Sequence, residues 1–157
     1  MKLLTSLVLV ATVLLATTAI AQNVTDTNMD ILLQKVKADK KLLVASNMGL
    51  SEEEGKKFWP LYGEYQKELE HLNHSLGKTI KEYADAFNKG PLSNEQAKKL
   101  MDEALAVEDA EAKLKRTYAD KIGKVLSAAK TARYIQIENK IRTLLKAELA
   151  KEIPLVY

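Results

Sequence analysis

The chain has no cysteine, six glycines and three prolines in 157 residues, and its aromatic fraction is 6%. The absence of cysteine excludes a disulfide scaffold, cysteine-bound zinc, iron–sulfur clusters and covalently attached c-type haem. It also excludes a lipidated N-terminal cysteine. Scarce Gly and Pro, beside abundant Ala, Leu, Lys and Glu, argue for helix against sandwich, barrel or disorder. So few aromatics argue against a base-stacking platform for nucleic acid, and no nucleic-acid partner is expected. There is no G-x-S-x-G, no Gly-rich phosphate loop and no cysteine nucleophile, so neither an enzyme nor a bound cofactor is expected. The formal net charge of +3 names no partner by itself.

What is present begins with a bipartite N-terminus. Lys2 precedes an apolar run from Leu3 to Leu15, and Ala19-Ile20-Ala21 follows. A basic start, a short apolar stretch and a small-x-small site make an export signal, with cleavage expected after Ala21. The run is too short for a good membrane span, so no stable span is expected after cleavage. Export without cysteine suits a bacterial periplasm. The expected organisation is a signal peptide at 1–21, a polar tail at 22–28, an all-helical domain at 29–152 and a short tail at 153–157.

Four helices are expected in that domain. The first runs from about Met29 to Ser46, with Thr27 and Asp30 resembling a capping box and Gly49 suited to a left-handed stop. The second starts at Ser51, where Ser51 and Glu54 form S-x-x-E behind Leu50. Its apolar positions are Phe58, Tyr62, Tyr65, Leu69, Leu72, Leu76, Ile80, Tyr83 and Phe87, spaced by threes and fours over eight turns. Pro60 interrupts it, predicting a kink near 56–59 or a separate short turn. Asn88-Lys89-Gly90-Pro91 breaks the chain. Leu92, Ser93 and Gln96 then repeat the start signal for a third helix to about Leu126. A fourth, about Thr131–Lys151, presents Tyr134, Ile137, Ile141, Leu144, Leu145 and Leu149. Long helices with narrow apolar stripes predict an elongated all-α fold of antiparallel, coiled-coil-like hairpins that closes on itself or on a second copy.

Charge is segregated along the chain. Residues 113–146 carry ten Lys or Arg against Asp120 and Glu138, a balance of +8, whereas residues 22–112 carry twelve basic and seventeen acidic residues, a balance of −5. The basic block either balances acidic neighbours inside the bundle or forms a surface for acidic polypeptides or anionic lipid. On the second reading Arg116, Lys121, Lys124, Arg133, Lys140 and Arg142 would attract unfolded clients. Phe58 and Trp59 belong to an aromatic cluster that is either core or an apolar client patch. The only two histidines, His71 and His74, share one helix face at i, i+3 and could give part of a zinc or copper site.

The helix starts also carry a family resemblance. Leu50-Ser51-Glu52-Glu53-Glu54 and Leu92-Ser93-Asn94-Glu95-Gln96 resemble the L-[ST]-x-x-Q motif of the Spy/CpxP family of small exported helical proteins. The first copy has Glu54 where the family has Gln. A degenerate third copy, Leu126-Ser127-Ala128-Ala129-Lys130, has Lys130 there. The resemblance implies a cradle-like homodimer in the periplasm that binds unfolded envelope proteins without ATP or adapts the cell to envelope stress. The alternatives are a metal-binding envelope protein using His71 and His74, and a structural or regulatory partner of an envelope sensor.

Overall fold

The computed structural model describes residues 38–156, and every regular element among them is an α-helix. The expected signal peptide, the polar tail and the Thr27/Asp30 start lie outside the described residues. Helix α1 covers described residues 38–48, α2 is Glu52–Phe87, α3 is Asn94–Gly123 and α4 is Ala128–Glu152. At 1.5 Å per residue, the 36 residues of α2 reach about 54 Å.

The helix starts follow from side chains that satisfy orphan amides. Ser51 accepts from the Glu54 N–H while Glu54 accepts from the Ser51 N–H, a complete capping box. Ser93 and Gln96 repeat it for α3. Ser127 accepts from the Lys130 N–H and starts α4, but a lysine at the third position cannot return the bond. Glu52, Glu53 and Glu54 add negative charge at the positive end of the α2 dipole. Gly49 has φ +54°, the left-handed stop that lets α1 fold back on α2 within a few residues.

Pro60 does not divide α2: the helix runs from Glu52 to Phe87 with Pro60 inside it and exposed. Proline removes one backbone bond there, and the burial of Phe58, Tyr62 and Tyr65 on the opposite face offsets that loss. Helix α3 ends at Gly123, earlier than expected, and α4 starts at Ala128, also earlier, because Ser127 caps it directly.

Residue pairs reveal the topology. Tyr118 meets Glu68 and Lys99 meets Glu82, so α3 runs antiparallel to α2. Lys130 meets Glu54, Glu138 meets Gln66 and Arg142 meets Asn73, so α4 runs parallel to α2. Lys40 of α1 reaches both Gln66 and Glu138, which sets α1 over the groove between α2 and α4. The core concentrates beneath α1. Val44, Met48, Phe58, Tyr65, Tyr118, Ile122 and Tyr134 are its most deeply buried side chains. No helix among the described residues is long and apolar enough to cross a membrane.

Candidate functional site

The aromatic residues form the floor under α1. Phe58 meets Tyr134 edge-on with centroids 5.1 Å apart, Tyr65 meets Tyr118 at 5.4 Å and Tyr134 at 6.1 Å, and Trp59 packs on Phe58 at 5.0 Å. These are the offset geometries that ring quadrupoles favour. Phe58 is fully buried and meets no solvent, so this chain uses it as core. Trp59 is half-buried, with the Lys41 ammonium 5.2 Å from its ring. Burial pushes the Tyr62, Tyr65 and Tyr134 phenols above their ordinary range, and the Glu138 carboxylate reinforces it. Burial also raises Tyr118, whose Oη donates to Glu68 at 2.6 Å.

Three charged side chains sit inside the bundle where apolar periodicity pointed elsewhere. Glu138 is 2% exposed; its carboxylate accepts from Lys40 Nζ at 2.9 Å and from Gln66 Nε2 at 2.9 Å. Arg142 is 8% exposed and Glu111 4% exposed. Arg142 Nε donates to Glu111 Oε2 at 2.9 Å and Nη1 donates to Asn73 Oδ1 at 2.6 Å. Nη2 lies 2.7 Å from the same Glu111 oxygen, close enough for charge attraction though off the axis of a hydrogen bond. Arg142 is therefore an internal tie between helices and no client-attracting surface residue.

The two departures from the L-S-x-x-Q pattern meet each other. Lys130 Nζ donates to Glu54 Oε2 at 2.5 Å and to the Gly49 carbonyl at 3.0 Å. Glu54 thus serves its own capping box and the start of α4 together. The Lys130 ammonium, followed by the Ser51 amide, holds the Glu54 carboxyl below its ordinary range.

The basic block divides in half. Lys115, Lys121, Lys130, Arg142 and Lys146 pair with Glu111, Glu64, Glu54, Glu111 and Glu108, acids that precede residue 113. Lys121 also lies 4.2 Å from the Tyr118 ring centroid, so it is engaged twice. Lys113, Arg116, Lys124, Arg133 and Lys140 are exposed and form no ion pair among the described residues. Arg116 and Lys124 lie on α3. Arg133 and Lys140 lie on α4, seven residues apart and on one face, with Leu144, 69% exposed, one further turn along.

His71 and His74 are both exposed on α2. No group of three or more ligating side chains that could hold a metal occurs among the described residues. Ser51, Glu54, Ser93 and Gln96 cap their helix starts, and Leu50 and Leu92 immediately precede the caps. Sequence reading passed over Glu111 and Glu138. The signal was available in spacing: 107, 111, 114 and 134, 138, 142 each continue an inward three-or-four rhythm through a charged residue. No protein family, curated protein or solved structure matches the chain.

Proposed function

We propose that this chain is an exported, ATP-independent binder of unfolded bacterial envelope proteins, active as a homodimer, that holds clients on the outward face of α4. The observation that carries the reading is the grouping of Arg133, Lys140 and Leu144 on that face: two cations without ion pairs among the described residues beside a largely exposed leucine. Leu155 and Val156, 85% and 55% exposed, are further exposed apolar side chains just past the end of α4. The resemblance of the helix starts to the Spy/CpxP family points the same way.

The physics is that of weak, adaptable capture. Unpaired cations act over about a Debye length, roughly 10 Å at 0.1 M salt, and draw in acidic segments of any sequence. Isolated apolar side chains then add contact without a shaped pocket. Each contributes little, at about 25 cal/mol per Å² buried, so a folding client that withdraws its own apolar residues leaves without an energy source.

The test is aggregation of a thermally unfolding client at low and high salt. The purified chain in several-fold molar excess should suppress aggregation, less so at high salt. The double reversal Arg133→Glu/Lys140→Glu should slow capture by about tenfold with helicity unchanged. Absence of suppression, or an unaltered capture rate in the double variant, would contradict the reading.

A further inference from the structure

The outward face of α3 presents a second surface that client binding does not use. Met101 and Leu105 are 55% and 52% exposed there, although both are large and apolar. Continuing along the same face come Ala112, Ala119 and Gly123. The steps from Met101 are four, seven, seven and four, so the stripe is symmetric about Ala112. Its N-terminal members are large and its C-terminal members are small. Gly123 weakens a helix, and a Cβ added to it would meet nothing within 4 Å, so packing within the chain does not require it.

Charge follows the same division. Asp109 flanks the stripe on its N-terminal half, beside Asp102, which Lys98 of the same helix already binds, and Lys113, Arg116 and Lys124 flank it on its C-terminal half. Asp109, Lys113, Arg116 and Lys124 make no ion pair among the described residues. Asp120 departs from the pattern and lies one turn from both Arg116 and Lys124 of its own helix.

We infer that this face of α3 pairs antiparallel with the same face of a second copy, centred on Ala112. In that register Met101 lies against the partner's Gly123 and Leu105 against the partner's Ala119, large side chains over small ones. Asp109 meets the partner's Arg116. The two-fold axis makes each contact twice. An acidic ligand would be repelled by the first half of the stripe and a basic one by the second, so the occupant with the reversed pattern is another copy of this helix. Residues 101–124 span about 35 Å, and with two large apolar side chains per copy the pairing is modest and salt-dependent.

The inference specifies the homodimer part of the proposed function and is independent of client capture. It also separates the cations: Arg116 serves pairing, while Arg133 and Lys140 face clients. Sedimentation velocity of the purified chain over a concentration series, at low salt and at about 0.5 M, tests it. A dimer is expected at low salt and a shift toward monomer at high salt. Arg116→Asp should weaken the dimer by about tenfold, and Asp109→Arg/Arg116→Asp should bring it back to within about threefold of the original. Leu105→Arg should prevent pairing with helicity unchanged. A monomer throughout would overturn both the inference and the homodimer. A dimer indifferent to Leu105→Arg and Arg116→Asp would overturn this face alone.

Discussion

The two ends of the bundle are built from the same helices and differ in what fills them. At the end covered by α1, four helices enclose Val44, Met48, Phe58, Tyr65, Tyr118, Ile122 and Tyr134, all nearly inaccessible. Toward the α2–α3 turn, the buried apolar residues of α3 and α4 are Leu100, Val107 and Leu149. There the α2 seam positions Leu72, Leu76, Ile80, Tyr83 and Phe87 are half-buried, although their spacing matches that of Phe58 to Leu69. Between the ends, Glu111 and Arg142 occupy inward positions. Periodicity therefore sets which face of a helix turns inward, and the volume of the facing residues sets how completely it is covered.

Substitutions can break this contrast, and the largest effects belong to the aromatic end. Tyr134→Ala should cost about 4 kcal/mol in urea denaturation, and Leu149→Ala about 2 kcal/mol. Equal losses would remove the asymmetry. Arg142→Met should cost about 3 kcal/mol because it leaves the buried Glu111 carboxylate with only Lys115 and Lys146, each 3.9 Å away, whereas Glu111→Leu/Arg142→Met should cost much less. A double variant as weak as the single one would show that the pair contributes through attraction beyond its desolvation cost.

Alkali sharpens the comparison further. The folded-state phenols of Tyr62, Tyr65, Tyr118 and Tyr134 are raised above their unfolded value near 10. A raised folded pKa means the stabilisation is fully present below pH 10 and is lost as pH rises from there, because only the unfolded chain releases those protons. The tyrosinate absorbance of these four of the six tyrosines should appear together with loss of helicity at high pH. Gradual titration of all six phenols with helicity intact would contradict the buried aromatic end.

The smallest expected effect concerns helix starts. Ser51→Ala and Ser93→Ala should each cost about 1 kcal/mol, and Ser127→Ala less, since its cap is one-sided. At Glu54 the folded pKa is lowered, so its contribution is present above the ordinary carboxylate pKa and fades as pH falls through the lowered value. Lys130→Gln should diminish that acid-side dependence in equilibrium unfolding between pH 5 and 2, a range set by the usual carboxylate pKa of about 4.

The sequence carried the helices plainly, because serine caps and three-or-four spacing are local signals. It carried Ser51, Ser93 and Gly49 for the same reason. The pairing of Glu54 with Lys130 was hidden: each residue reads as a lapse in its own motif, and only the fold brings the two lapses together. Glu111, Glu138 and Arg142 were hidden by their chemistry, since a count of apolar positions skips the charged residues that complete an inward face. The charge blocks were visible, but which half of the basic residues is neutralised depends on helix pairing across the bundle.

On the proposed function, unfolded clients lie along the outward face of α4 and leave the aromatic floor between α1 and α2 untouched. Amide hydrogen exchange of the purified chain, with and without a permanently unfolded client, tests it most directly. Slowed exchange over residues 133–152 is expected on client addition, with residues 52–70 unchanged. Protection confined to residues 52–70, or none anywhere at saturating client, would contradict this.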